Sequence, residues 1–116
     1  MVYVAQSKGR GRGMFASRAI GKGEMIENSQ VIKFPTSDSE HIEKTKVGEY
    51  WFNFGHGFGA IGLGNVSLYN HSSSNNAQFL LLTAEDSIII SAIEDIEEGE
   101  EIFINYRNTD KFKELN

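Results

Sequence analysis

The sequence has no cysteine and a single proline, Pro35, in 116 residues. Without thiols there is no disulfide framework, no thiolate zinc site and no cysteine nucleophile, which points away from a small secreted scaffold. Long hydrophobic runs are also missing: the longest uncharged apolar stretch, Ala77 to Ala84, falls far short of the ~18 residues that cross a bilayer. Met1 to Lys8 has no basic segment leading into an apolar one, so no secretory signal is expected. Positive charge is in the minority, with 11 Lys and Arg against 16 Asp and Glu and a net charge of −5, whereas a general nucleic-acid binder leans the other way. Together these absences predict a soluble intracellular protein, with cytoplasm and nucleus both open, that contacts neither nucleic acid nor membrane directly.

What is present is glycine. Twelve of them, against one proline, mean that many turns depend on glycine. The length fits one domain, residues 1–116, ending in a polar tail from 107 to 116. Short β-rich runs dominate. Val2-Tyr3-Val4 leads into Gly9-Arg10-Gly11-Arg12-Gly13, and Ile20 to Glu24 reads as a turn into a strand from Met25 to Phe34. Ser37-Asp38-Ser39-Glu40 fits a capping box and predicts one brief helix. The runs Gln78 to Thr83 and Ser87 to Ile93 are too short for helices and rich in Leu, Ile and Phe, which suits a hairpin of buried strands turning at Thr83 to Asp86.

Several motifs have a plain explanation. Gly57-Phe58-Gly59-Ala60-Ile61-Gly62 spells a dinucleotide fingerprint, but no amphipathic helix follows to hold a pyrophosphate. His41, His56 and His71 are evenly and widely spaced, as no metal motif is, so no metal is expected. Ser72 next to His71 makes no dyad, because neighbours on an extended chain point to opposite faces. The acidic run Glu94 to Glu101 reads as a solvated turn that keeps a hydrophobic β protein soluble. Asn70-His71-Ser72 stands out as a polar knot in the most apolar half of the chain, and taken alone it reads as a satisfied structural histidine.

The order of these pieces carries a resemblance. Gly11-Arg12-Gly13-Met14-Phe15, Gly23-Glu24-Met25-Ile26, Tyr50-Trp51-Phe52, Leu68-Tyr69-Asn70-His71-Ser72, Ile96 to Ile102 and finally Asn105-Tyr106 together resemble the SET-domain lysine methyltransferases, in the minimal single-domain form found in viruses and bacteria. The resemblance implies a mostly β fold, a β-clip of small curved sheets with little helix and a C-terminal strand tucked under a loop near Asn70-His71 as a pseudoknot. It implies S-adenosylmethionine on one face and a lysine entering a narrow channel from the other. By position, Arg10, Gly11 and Arg12 would hold the cofactor, Asn70 and His71 would meet its methionine amine and adenine, and Tyr50 would line both cofactor and channel. Tyr106 falls on the catalytic tyrosine, and Phe79 and Ile104 fall on the channel positions that limit the number of methyls. Neither of those two has a hydroxyl, so di- or trimethylation is expected.

That chemistry needs no activated nucleophile, only an amine held in line with a methyl donor. A desolvated aromatic channel helps the lysine lose its proton, and aromatic faces attract a methylated ammonium. The sequence departs from the family in having Asn75-Asn76 where a proline is common, Arg107 after the tyrosine, and no cysteine-rich flank to close the channel. Closure therefore falls to the tail Asn108 to Asn116, with Phe112 over the adenine, or to a second subunit in a homodimer. The acidic balance suits a lysine-containing basic protein substrate such as a histone tail. The rival reading is a non-catalytic SET-like module that binds a peptide or the cofactor.

Overall fold

The structure is a computed structural model and describes residues 1–106. The first sheet is built from the two ends of that span. β1 (Val2–Ser7) and β2 (Gly11–Ala16) form an antiparallel hairpin. β9 (Glu101–Ile104) pairs antiparallel with β2 and parallel with the short β6 (Asn70–His71), giving the order β1-β2-β9-β6. The second sheet has the order β4-β5-β3-β8-β7, from β3 (Met25–Pro35), β4 (Trp51–Gly55), β5 (Phe58–Gly62), β7 (Ala77–Leu82) and β8 (Ser87–Ala92).

Period-two patterning explains which faces meet. In β8, Ile88 and Ile90 are fully buried, and in β9 Ile102 and Ile104 are as well, with Met14 of β2 opposite Ile102. Each such side chain removed from water contributes roughly 1.5–3 kcal/mol. The alternate positions, Glu101 and Phe103, point to the other face of the first sheet together with Ser7, Gly11 and Gly13. One face of this sheet is therefore core, and the other sets the Glu101 carboxylate and Ser7 among glycines and the rings of Tyr3, Phe15 and Phe103.

The expected hairpin in the apolar half is β7 and β8, joined by a 3-10 turn at Thr83–Glu85 and by Asp86 in the left-handed region. The brief helix, α1 (Ser39–Ile42), is present without the expected capping box. The chain is already turning through Thr36–Asp38, so Ser37 never takes the extended N-cap conformation, and Asp38 at the N-cap makes no side-chain cap bond. The fingerprint-like glycines form β5, a strand, with no helix after them. A second 3-10 turn, Lys46–Glu49, went unannounced in the sequence and delivers Tyr50 to the start of β4. No helix among the described residues is long and apolar enough to cross a membrane.

β9 is held on both flanks. Beyond β6, Ser72 N–H donates to the Ile104 carbonyl at 3.0 Å, and buried Asn76 bonds the Glu101 carbonyl at 2.9 Å and the Phe103 N–H at 2.8 Å. The 70–76 segment is thus laced along the last strand.

Candidate active site

Two cavities share a wall. The larger, about 450 Å³, is lined by Arg10, Gly11 and Arg12 of the first hairpin, by Asn70, and by Tyr50 and Tyr106. The smaller, about 240 Å³, is lined by the aromatic rings of Tyr50, Trp51, Phe52, Phe79 and Tyr106. Glu49, Tyr50, Ser67 and Tyr106 belong to both. The larger volume lies in the range of small-molecule sites.

Tyr106 is fixed at two points. Its backbone N–H donates to His71 Nδ1 at 3.0 Å, and its hydroxyl donates to the Tyr69 carbonyl. The His71 and Tyr106 rings also lie 5.3 Å apart. Burial above all, with Tyr50 nearby second, raises the Tyr106 phenol above the usual tyrosine range, so it is neutral at physiological pH.

The carbonyl that receives this hydroxyl is itself anchored. Tyr69 is fully buried, and its hydroxyl donates to Glu27 Oε1 at 2.6 Å. Glu27 Oε2 accepts from Ser29 Oγ and from the Asn65 N–H, each at 2.9 Å. Burial, followed by the bond to Glu27 and its charge, pushes the Tyr69 phenol far up. On the other side of the shared wall, Ser67 Oγ donates to the Tyr50 carbonyl at 3.1 Å.

The glycine turn serves the larger cavity by geometry. Gly11 has φ +76°, a conformation other residues rarely adopt. Arg10 stacks over Phe103, 5.1 Å from the ring centroid. Asn70 crosses to the turn: its Nδ2 donates to the Arg12 carbonyl at 3.0 Å and to Glu101 Oε2 at 2.9 Å.

Of the residues singled out in the sequence, Arg10, Gly11, Arg12, Tyr50, Asn70 and Tyr106 come together around the larger cavity, and Phe79 around the smaller one. His71 lines neither cavity, and its ring nitrogen Nδ1 faces the backbone of Tyr106. Ile104, expected on the channel wall, is fully buried in the core and lines neither cavity, because it continues the inward alternation of Ile102. Phe112 lies outside the described residues. Glu27, Tyr69, Glu49 and Glu101 were not anticipated. Among the described residues no group of three or more His, Asp or Glu is arranged to hold a metal ion.

A family model for the SET domain matches residues 11–107. The chain belongs to the SET-domain family. A curated relative of this SET domain is the histone-lysine N-methyltransferase, H3 lysine-37 specific, of Schizosaccharomyces pombe, 28% identical over 89% of this chain and 71% of the relative. Among solved structures, a Plasmodium falciparum protein assigned as a histone methyltransferase superposes with a TM-score of 0.74 at 24% identity, covering 91% of this chain and 96% of that one. The Chaetomium thermophilum Polycomb Repressive Complex 2 gives a TM-score of 0.77 at 24% identity over 94% of this SET domain, which spans 16% of that chain. These superpositions establish the fold: small curved sheets, mostly strand, in the SET arrangement.

Proposed function

We propose that this SET domain is a protein-lysine N-methyltransferase that takes S-adenosylmethionine in the larger cavity and a substrate lysine in the smaller one. The observation that carries this reading is the shared wall: Tyr50 and Tyr106 line a polar chamber that Arg10, Gly11, Arg12 and Asn70 complete on one side, and an aromatic one on the other. Membership of a family that includes a named histone-lysine methyltransferase supports it.

The donor set suits the cofactor. The Arg10 to Arg12 backbone and guanidinium groups fit its carboxylate, and the Asn70 carboxamide fits its ammonium. When bound, the cofactor supplies a methyl group on a positively charged sulfonium. The chain's own residues do the rest. The rings of Tyr50, Phe79 and Tyr106 strip water from the lysine amine, which lowers its affinity for a proton from a reference pKa near ~10.4 and lets the proton leave to solvent. With the Tyr106 O–H committed to the Tyr69 carbonyl, its oxygen lone pairs are the free side of the group, able to accept from the amine or from a polarised methyl. Positioning of this kind supplies much of a transfer rate without a covalent intermediate.

For the substrate, the reading favours a basic polypeptide such as a histone tail. The chain carries a net charge of −5. Glu49 lines both cavities, and Glu43 sits beside the aromatic one, accepting from Trp51 Nε1 at 2.9 Å. Glu49 is held in an ion pair with Lys46 at 3.0 Å, so the steering of lysine-rich chains rests on the net negative charge of the whole chain. Incubation with methyl-labelled S-adenosylmethionine, core histones and cell-extract proteins tests the proposal. Label on lysine side chains, lost in Tyr106→Phe, is the expected result. Saturable cofactor binding with no transfer to any protein would replace it with a non-catalytic binding module.

A further inference from the structure

The outer face of the first sheet holds a carboxylate that lines neither cavity yet bonds a residue that lines the larger one. Glu101 lies at the start of β9, between β2 and β6. Its Oε1 accepts from Ser7 Oγ of β1 at 2.7 Å, and its Oε2 accepts from Asn70 Nδ2 of β6 at 2.9 Å. Gly13 of β2 leaves the space for this: a Cβ there would run into the Glu101 carboxylate and the Asn70 amide. All four strands of the sheet thus contribute to one cluster.

The cluster determines which way the Asn70 carboxamide faces. Both of its N–H bonds are taken, one by the Arg12 carbonyl and one by Glu101. Asn70 lines the large cavity, and with its amide nitrogen committed, its oxygen is the polar atom it has to offer there. Rotating the amide by half a turn would set its oxygen against a carbonyl and a carboxylate, two acceptors with no donor between them. Among the described residues, no lysine or arginine forms an ion pair with Glu101. Its two hydrogen-bond donors are the Ser7 hydroxyl and the Asn70 amide, and of these the amide is the one that lines the cavity.

We propose that Glu101 is a positioning residue that makes the Asn70 end of the larger cavity selective for an ammonium group, by orienting the Asn70 oxygen toward it and by placing a negative charge directly behind. The inference rests on the cofactor reading above, and concerns the amino-acid end of that ligand. It separates two tasks within one sheet face, with Arg10 and Arg12 offering positive charge to a carboxylate and Asn70 backed by Glu101 offering negative potential to an ammonium.

Calorimetry with three probes tests it: S-adenosylhomocysteine, its deaminated analogue, and 5′-methylthioadenosine, which lacks the whole amino-acid portion. The wild type should bind S-adenosylhomocysteine at least tenfold more tightly than the deaminated analogue. In Glu101→Leu, similar in size but with no acceptor and no charge, that ratio should fall close to one. In Glu101→Gln, which keeps an acceptor oxygen, it should be intermediate. Methylthioadenosine should bind all three proteins within about twofold. An unchanged ratio in the leucine variant overturns the proposal, and if that variant does not fold, an unchanged ratio in the glutamine variant does so. A parallel loss of methylthioadenosine affinity also overturns it, since the effect would then be collapse of the whole cavity. Failure of the wild type to bind S-adenosylhomocysteine at all would instead remove the cofactor reading, and this inference with it.

Discussion

The imidazole of His71 accepts the backbone N–H of Tyr106 through Nδ1 at 3.0 Å, while the parallel pairing of β6 and β9 sets His71 beside Ile104. The histidine that reads from its neighbours alone as a satisfied structural residue thus has its partner in the tyrosine backbone, and acts on the placement of the tyrosine. The side chain and the strand register enforce the same arrangement, which is why the tyrosine ring reaches the shared wall although it follows the end of its strand.

His71→Ala should lower turnover more than cofactor affinity. Loss of one hydrogen bond of about 1 kcal/mol, together with the ring contact, predicts roughly a tenfold drop in kcat. His71→Asn, whose side-chain oxygen can stand where Nδ1 does, should recover part of it. Steady-state kinetics beside calorimetry with S-adenosylhomocysteine separates the two effects. A loss confined to affinity would return His71 to the cofactor wall.

Tyr106→Phe should abolish most of the transfer and leave the fold nearly intact. The ring stays, and the hydroxyl gives up one bond to the Tyr69 carbonyl, worth about 0.5–1.5 kcal/mol. A thermal midpoint that moves by only a few degrees, with turnover sharply reduced, is the expected pair of results. A collapsed midpoint would make the hydroxyl structural.

Product multiplicity should be governed by Phe79 and not by Ile104. Phe79 lines the aromatic cavity, packed 5.6 Å from Phe52, so Phe79→Tyr adds a hydroxyl where an amine would sit and should shift product toward monomethyl-lysine. The parent should run on to di- or trimethyl-lysine in exhaustive reactions read by mass spectrometry. Ile104→Tyr, by contrast, forces a larger polar group into the core and should cost about 1–3 kcal/mol of stability. A shift in product without destabilisation in that variant would contradict the burial of Ile104.

Alkaline pH should unfold the protein through Tyr69. Its phenol pKa is raised in the folded state by burial and by Glu27. The folded chain therefore keeps a proton that the unfolded chain releases above its ordinary value near ~10. The stability associated with Tyr69 is complete below that pH and declines above it, at about 1.4 kcal/mol per pH unit. Denaturant midpoints should hold up to about pH 10 and fall as pH rises beyond it, and Tyr69→Phe should flatten the decline while being less stable at neutral pH. An equal slope in both would exclude Tyr69 as its source.

The sequence was most legible where one signal dominated. The runs that became β7 and β8 were apolar, short and separated by turn residues, so their pairing followed directly. The motif order named the family because its glycines and the Asn70-His71 pair stand in fixed sequence. Glu101 was hidden by its neighbours: Glu94 to Glu100 do form a polar approach to β9, and composition cannot tell the last acid of such a run from the first residue of a strand. The clue was available in Ile102 and Ile104, whose alternation sends position 101 to the opposite face. The same alternation put Ile104 in the core. The Lys46–Glu49 turn left no pattern, since a single 3-10 turn is set by what packs around it.

The placement of β9 has a consequence for how the protein comes into being. Ser7 and Glu101, bonded to each other, are 94 positions apart, and the strand that fills the middle of the first sheet is made long after its partner β2. While the chain emerges in order, β1 and β2 wait with an open edge of the kind that invites wrong pairing. Contacts of such long range also slow folding. The two sides of the large cavity, Arg10 to Arg12 and Tyr106, thus meet only after β9 has been made, and a nascent chain that has not yet released Tyr106 cannot hold a working site.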